Sequence, residues 1–370
     1  MNNEVFQNIG KIIERDSKAT TYKFALLRGV IDIIQENSPF IKMSQDRVRF
    51  PLGLLIQKWM LYYYPILESS ITIPQINGAT NIAFRSQLLK IISAYKTRGG
   101  FSAFYNDLKN KGIPRDLHLD FLELSKKLRS TITTMPMKYI GRSINDNYYS
   151  IFQYDDNKTI LKSTEIDLEF LINSCGSFSI SLEYYEAFAL LGSFISGQDS
   201  ILFRWAEFSV NASKKNLSIE KVVNEVLKSP ITEREIKASK SFYEGILQKQ
   251  KFVECVWTGD NIKSYNVDHV IPFSVWKNND LWNLLPSRPS TNNKKRDKIP
   301  TSNFIETKRC QIINYWNLIN EHHPKRFQKE IKIALLGNHS QKSWQDEAIE
   351  QLKKSCNYLI VNRGFQEWKI

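Results

Sequence analysis

The chain has 370 residues, of which 42% are hydrophobic, and its formal net charge is +13. This length is enough for two or three hydrophobic cores, and the strong positive charge is typical of a protein with a polyanionic partner. We find no secretory signal, no apolar run that could span a membrane, and four cysteines without close spacing, so we expect a cytoplasmic protein without disulfides. The sequence contains no Gly-rich phosphate loop and no Gly-x-Ser-x-Gly motif, so it gives no support for ATP hydrolysis or esterase chemistry.

The N-terminal part of the chain predicts a helical domain over 1–145. Apolar residues recur at helical spacing in four segments, where a Thr is positioned to cap the first helix and Pro65 to end the second. These segments are 20–34, 52–64, 82–95 and 117–128. Helical spacing reports core packing, so it assigns no function to a single side chain. We expect this domain to have a recognition or regulatory role.

The next region, 146–233, predicts a β-hairpin followed by a helical connector. Strand-forming residues at 148–154 and 159–161 flank a polar turn, and a helix rich in Phe, Leu and Trp follows at 182–208. A polar, Lys-rich stretch at 211–233 predicts a linker with one helix. A helical domain with a small β-wing is compatible with a winged-helix-like DNA-binding module. A scaffold that positions another domain or senses a partner is the alternative.

The most informative segment lies between residues 255 and 300. A carboxylate and an amide oxygen suit a hard divalent cation such as Mg²⁺, and a histidine has the ordinary pKa to take a proton from water near neutrality. Neighbouring residues of a strand point to opposite faces, so one can bind the metal while the other acts as the base. Such a site hydrolyses phosphodiesters. Its polar residues here are Asp268, His269, Asn283, Asn292 and Lys295.

The local pattern predicts two strands and a helix around this site. Segments 254–258 and 265–270 are rich in strand formers and flank a Gly-Asp-Asn turn, which is typical of a hairpin. A loop follows, and residues 290–292 are suited to cap a short helix that begins near Asn293. The expected architecture is a ββα-metal fold.

The segment from Cys255 to Pro300 resembles the HNH endonuclease family. His269 matches the first His of the family motif and Asn283 the central Asn. The third position is Asn292, a variant also found in the HNH domain of the CRISPR effector nucleases. The resemblance implies that Asp268 and Asn292 bind Mg²⁺ or Mn²⁺, that His269 is the general base, and that Asn283 braces its loop. Asn293 is the alternative ligand, but it would break the Asn-x-x-Lys spacing.

One departure from the family concerns zinc. Many bacterial HNH domains carry two Cys-x-x-Cys pairs that bind a structural zinc ion, and one of the four corresponding positions is a cysteine here. A closed zinc site needs about four Cys or His ligands, so we predict no structural zinc. The positions are Cys255, Thr258, Arg288 and Thr291. Buried apolar residues and the predicted C-terminal helices at 303–320, 324–336 and 344–357 are expected to stabilise the domain instead.

Basic residues cluster around the third motif position and are expected to contact substrate. Their partner is expected to be DNA, double-stranded by preference, with salt-dependent binding. We expect Lys295 and Arg296 to hold the phosphate from outside. The candidate contacts are Arg288, Lys294, Lys295, Arg296 and Lys298.

A second resemblance covers more of the chain. The helix that begins Thr-Tyr-Lys, the Tyr-rich segment at 59–65 and Phe-Arg-Trp-Ala-Glu-Phe at 203–208 are similar to bacterial HNH proteins described as predicted restriction endonucleases. This similarity implies a role in restriction or anti-phage defence. A homing or phage-type nuclease is an alternative, and so is a retired HNH fold that only binds DNA. Because one HNH site cuts one strand at a time, a homodimer is compatible with double-strand cleavage, and an activating protein partner is also compatible.

Together these patterns predict an α+β, mostly α protein in four parts. The helical domain at 1–145 and the hairpin with its connector at 146–233 precede an HNH nuclease domain at 234–306. A helical extension at 307–370 is expected to pack on the nuclease.

Overall fold

A computed structural model describes residues 3–14, 20–77, 81–144, 147–156, 165–193, 195–338 and 343–369. Helices dominate and the strands are short, which confirms the predicted α+β, mostly α class. The chain forms two compact units, one made of Met1–Gln35 and Phe40–Pro230 and the other of Glu36–Pro39 and Ile231–Ile370. Within the ranges given above, no helix is both long and apolar enough to cross a membrane.

The first unit is built around α2 and α3. Both sequences are apolar on nearly every side, so these helices lie in the core instead of presenting one face to it. In chain order its helices are α1 (Asn3–Glu14), α2 (Tyr22–Gln35), α3 (Leu52–Glu68), α4 (Arg85–Tyr95), α5 (Gly100–Asn106), α6 (His118–Thr134), α7 (Pro136–Tyr139), α8 (Leu168–Ser174), α9 (Leu182–Ser193), α10 (Ile195–Ala212) and α11 (Ile219–Val226). A π-helical turn at Asp107–Lys111 and a 3-10 turn at Arg115–Leu117 precede α6.

Helix α3 continues through a proline. The prediction that Pro65 ends this helix is wrong, because α3 extends to Glu68 and the carbonyl of Pro65 accepts a hydrogen bond from the N–H of Ser69 at 3.0 Å. A proline removes one N–H from the helical ladder. Tyr64 and Ile66 on either side of it are buried, and that packing outweighs the lost bond.

A small antiparallel sheet accompanies these helices, with strand order β1-β2-β6-β5. Alternate residues of β2 and β6 are buried, and the rings of Phe50 and Phe178 stack at 5.1 Å between centroids. Its strands are β1 (Lys42–Met43), β2 (Arg47–Pro51), β5 (Gln153–Asp155) and β6 (Ser177–Ser181), and a separate hairpin joins β3 (Gly141–Ile144) to β4 (Asn147–Ser150). The predicted partner strand at 159–161 lies outside the described residues, and the described partner of β5 is β6.

Three segments that carried the second resemblance meet at one buried glutamine. The Oγ1 of Thr21 donates to Oε1 of Gln75 at 2.9 Å and lies 2.8 Å from the hydroxyl of Tyr63. The indole Nε1–H of Trp205 donates to the same Gln75 oxygen at 2.9 Å. The side chain of Thr21 is therefore part of a buried network, while its carbonyl accepts a hydrogen bond from the N–H of Ala25 at 3.0 Å. These hydrogen bonds link the three segments within the core of the first unit, so the segments have a structural role there.

The second unit begins at residue 231 and contains the candidate site. In chain order its elements are α12 (Lys237–Gln250), β7 (Val253–Glu254), β8 (Asn261–Ile262), β9 (Asn266–His269), α13 (Phe273–Trp276), a 3-10 turn (Leu281–Asn283), β10 (Leu284–Ser287), α14 (Pro289–Lys295), β11 (Ile299–Pro300), α15 (Ser302–Thr307), α16 (Arg309–His322), α17 (Pro324–Ile331), a π-helical turn (Lys332–Leu336), α18 (Trp344–Val361) and β12 (Glu367–Trp368).

The two strands of the ββα element are β9 and β10, not the hairpin predicted from sequence. Strand β9 pairs antiparallel with β10, so that Leu284 lies opposite His269, and β7 pairs with β8 instead. The sequence predicts a loop where β10 lies, because Pro286 is atypical of a paired strand. Helix α14 begins at Pro289 and not near Asn293, since proline fits the first helical position.

The C-terminal helices and the segment 253–305 share one hydrophobic core. It contains the apolar residues expected to stabilise the domain, Val256, Trp257, Ile262 and Trp282, together with residues of α16 to α18 and Trp368. Polar contacts bind the same elements: the Tyr315 hydroxyl donates to the carbonyl of Glu254 at 2.6 Å, and the Trp316 indole donates to the carbonyl of Trp282 at 2.9 Å. The C-terminal helices therefore pack on this segment as part of one domain.

Candidate active site

The carboxylate of Asp268 is buried and held by two donors. Its Oδ2 accepts a hydrogen bond from the Trp257 indole at 2.6 Å, and its Oδ1 accepts one from the ammonium of Lys295 at 3.1 Å. Lys295 also donates to the backbone carbonyl of His269. Both Asp268 and Lys295 are buried, at 5% and 0% side-chain exposure, so this ion pair is shielded from solvent. From sequence we expect Lys295 outside the site, whereas the structure places it inside.

The imidazole of His269 faces a different set of neighbours from Asp268. Its ring lies 5.7 Å from the ring of Phe273, and its Nε2 lies 3.4 Å from Oδ1 of Asn279. Burial lowers the pKa of His269 to about 4, although the Asn279 hydrogen bond and the Asp268 charge act in the opposite direction. The positive charges of Arg234 and Lys295 lower this pKa further. The imidazole is therefore neutral near pH 7 and able to accept a proton.

The amide of Asn279 selects the histidine tautomer. Its Nδ2 donates to the carbonyl of Glu233 at 2.9 Å, and a carbonyl can only accept. That contact turns Oδ1 of Asn279 toward His269, so Nε2 must carry the proton and donate it. The lone pair of His269 then lies on Nδ1. The sequence alone assigns no role to Asn279, because the Asn-Asn-Asp run that contains it is typical of a turn.

Asn283 holds the backbone that follows the histidine. Its Oδ1 accepts a hydrogen bond from the N–H of Ile271 at 2.8 Å, and its Nδ2 donates to the carbonyl of Ile271 at 3.0 Å. Its own carbonyl accepts from the N–H of Val270 at 2.8 Å. Asn283 is fully buried. These three bonds fix the chain direction directly after His269.

Asn292 lies in the middle of α14, one turn before Lys295. Within the described part of the chain its side-chain amide has no hydrogen-bond partner, which leaves the amide oxygen available to a ligand. Asp268 retains lone pairs as well, because a carboxylate has about four acceptor positions and two are used. Oxygen donors of this kind fit Mg²⁺ or Mn²⁺. The neighbouring Asn293 is exposed.

The candidate substrate-contacting residues fall into two groups. Two of them form ion pairs, Lys295 with Asp268 and Arg288 with Asp260, where the Arg288 guanidinium lies 2.7 Å from the carboxylate. The others are exposed or half-buried and, across the described ranges, have no carboxylate partner. These unpaired cations are Lys294, Arg296 and Lys298.

Three of the four positions that correspond to zinc ligands contact one another. The Sγ of Cys255 is buried and accepts a hydrogen bond from the N–H of Arg288 at 3.2 Å. Burial raises the pKa of the Cys255 thiol, but hydrogen bonds from Thr258, Arg288 and Trp257 together bring it below its ordinary value. In the described ranges no group of three or more His, Cys, Asp or Glu side chains is arranged to hold a metal ion. Absence of structural zinc stays a prediction, which metal analysis of purified protein tests.

A buried carboxylate on α17 supports the loop that carries Asn279. Glu330 is 1% exposed, and its Oε2 accepts a hydrogen bond from the N–H of Leu281 at 2.6 Å. Arg326 bridges Oε1 of Glu330 at 2.6 Å and the carbonyl of Asn279 at 3.3 Å. Burial, followed by the nearby carboxylate of Asp280, raises the pKa of Glu330 to about 7. These contacts join α17 to residues that lie far away in the sequence, so no short sequence motif contains them.

This ββα arrangement belongs to a known class of nuclease domain. A family model described as HNH endonuclease matches residues 255–301, so the chain carries an HNH domain, which confirms the resemblance stated for the segment from Cys255 to Pro300. A second family model, described as Domain of unknown function (DUF8808), matches residues 2–226, which is more than half of the chain. The protein belongs to that family. No curated protein and no solved structure matches it.

Proposed function

We propose that this protein is a divalent-metal-dependent endonuclease that hydrolyses DNA phosphodiester bonds around Asp268 and His269. The observation that carries the proposal is the pairing of a neutral, oriented imidazole with a buried carboxylate on adjacent residues of β9. The match of the surrounding segment to HNH endonucleases supports the same reaction.

His269 serves as the general base. Its Nε2–H is engaged by Asn279, so Nδ1 takes a proton from the water whose oxygen bonds to phosphorus as the bond from phosphorus to the leaving oxygen breaks. Asn283 keeps the imidazole in place through its bonds to the backbone of Ile271. Asp268 and Asn292 would hold Mg²⁺ or Mn²⁺, and the bound ion would neutralise charge at the phosphate and the leaving oxygen.

The exposed and half-buried cations of α14 and the turn after it hold the substrate. Lys294, Arg296 and Lys298 present three positive charges without carboxylate partners among the described residues. Each phosphate that they neutralise releases counterions, so DNA binding weakens as salt is raised. Arg288 contributes less, because its guanidinium pairs with Asp260. Lys295 acts from inside the site by fixing Asp268 and the backbone of His269.

Plasmid cleavage tests the function. Wild type and His269→Ala are compared with Mg²⁺, Mn²⁺ or EDTA, on modified and unmodified DNA. Cleavage that requires metal and disappears in His269→Ala supports the proposal. If His269→Ala cleaves at the wild-type rate, His269 is not the general base. Binding without cleavage under every metal condition favours the alternative of a retired nuclease fold.

A role in restriction or anti-phage defence is the biological part of the proposal. It rests on the similarity of the N-terminal segments to predicted restriction endonucleases. Phage plating on cells that express wild type or His269→Ala tests it. Protection that needs His269 supports defence, whereas cleavage confined to one chromosomal locus favours a homing nuclease.

A further inference from the structure

The segment ahead of α12 approaches the candidate base. Residues 231–236 lie outside both matched segments, which cover 2–226 and 255–301. The carbonyl of Glu233 accepts the hydrogen bond from Asn279 that orients this amide toward His269. This short segment is therefore attached to the loop that sets the imidazole, although no motif position falls within it.

Arg234 follows directly and places its guanidinium over the aromatic ring that packs against the histidine. The Cζ atom of Arg234 lies 5.9 Å from the centroid of the Phe273 ring, and that ring lies 5.7 Å from the ring of His269. Arg234 is exposed, and in the part of the chain that the structure describes it has no carboxylate partner. A cation–π contact at this distance leaves the N–H groups of the guanidinium available to a ligand.

A second cation, Lys295, also lies close to His269. It donates to the backbone carbonyl of His269. Lys295 is fully buried and bound to Asp268, so it cannot reach into solvent. Arg234, in contrast, is exposed and lies over the Phe273 ring that packs against the imidazole.

We propose that Arg234 is a substrate-contacting residue whose guanidinium binds a non-bridging oxygen of a DNA phosphate next to His269. A planar guanidinium forms paired hydrogen bonds to phosphate oxygens, which an ammonium does not. The inference rests on the proposed function, since it assigns one more contact to the same nucleic-acid substrate. It extends the active site to a segment outside the HNH match.

Four proteins test this assignment: wild type, Arg234→Gln, Arg234→Lys and Lys240→Gln. Lys240 is a matched control because it is an exposed cation on α12, 3.9 Å from Glu244. Single-turnover cleavage is measured with Mg²⁺. Binding is measured separately over a range of salt concentrations, with each variant in the non-cleaving His269→Ala background. Circular dichroism and thermal melting establish that each variant folds.

We expect Arg234→Gln to lower kcat/KM by about 10- to 100-fold, the scale of one lost charge-assisted hydrogen bond. The slope of log Kd against log salt should fall by about 0.9, corresponding to one phosphate contact. Arg234→Lys should retain part of both effects, and Lys240→Gln should match wild type. Arg234→Gln that cleaves and binds like Lys240→Gln overturns the assignment while leaving the nuclease intact. Wild type that neither binds nor cleaves DNA overturns the proposed function, and this inference with it.

Discussion

The ammonium of Lys295 and the carboxylate of Asp268 form an ion pair within the core of the nuclease domain, with 3.1 Å between Nζ and Oδ1. The rings of Trp257 and Trp368 lie 5.7 and 6.0 Å from the same ammonium. The lysine therefore balances the negative charge of the proposed metal ligand from a fixed position. A metal ion at the proposed site would share this carboxylate with the ammonium of Lys295.

Replacing Lys295 with Met should destabilise the protein by about 3–5 kcal/mol, because it leaves the carboxylate of Asp268 buried without its partner. Chemical denaturation measures the change, and Lys294→Met, at the exposed neighbouring residue, is the control. Added Mn²⁺ should raise the melting temperature of Lys295→Met more than that of wild type, since the metal takes over the neutralisation. Equal stability of the two variants would contradict this account.

The amide of Asn292 should matter for metal use far more than that of Asn293. Asn292→Ala removes the unpartnered oxygen donor on α14, so its cleavage should require more Mg²⁺ for half-maximal activity, by roughly tenfold or more. Asn293→Ala changes an exposed side chain and should leave the Mg²⁺ requirement near that of wild type. Titrating Mg²⁺ in the cleavage assay gives both values. The reverse order would move the ligand by one residue.

Cleavage should persist into mildly acidic solution. Burial lowers the pKa of His269 to about 4, so the imidazole remains a competent base well below its ordinary value of 6.5. For the same reason, the contribution of His269 to folding stability is complete above pH 6.5 and is lost as the pH falls toward 4. NMR titration of the imidazole and log(kcat/KM) between pH 4.5 and 8 measure these effects. A midpoint near 6.5 in both would show that the ring is exposed to water.

Glu330 should make stability depend on pH in the opposite direction. Its pKa is raised to about 7 in the folded protein, so its contribution is complete below its ordinary pKa of about 4.5 and is lost as the pH rises through 7. Glu330→Gln lacks this titration. As the pH is raised from 5 to 8, the unfolding free energy of wild type should therefore fall relative to that of Glu330→Gln. Urea denaturation at each pH provides the comparison, and parallel curves would count against a raised pKa.

The sequence was most informative where chemistry depends on short spacing. Asp268 and His269 are adjacent, and the strand alternation that separates their side chains follows from backbone geometry alone. The mostly helical class also follows from apolar periodicity. Both kinds of signal lie within a few residues of one another, so a single sequence contains them.

Contacts between segments that are far apart in the chain could not be predicted from the sequence. Strand β10 pairs with β9 although its Pro286 is atypical of a strand, and only the partner strand determines that pairing. Asn279 orients His269 because Glu233, which precedes it by more than forty residues, accepts from its amide. Lys295 is buried because Asp268 and two tryptophans surround it, whereas a run of basic residues alone favours an exposed surface.

The pairing of β11 with β12 has a consequence for biosynthesis. It sets the ring of Trp368 against Trp257 and Phe304, at 5.0 and 4.9 Å between centroids. Trp368 follows Asp268 in the chain by 100 residues. On the ribosome, the motif residues therefore emerge long before the side chain that packs beneath them. The packing around Trp257 is therefore completed only after the C-terminal residues have been made, and an unfinished chain carries the motif residues without it.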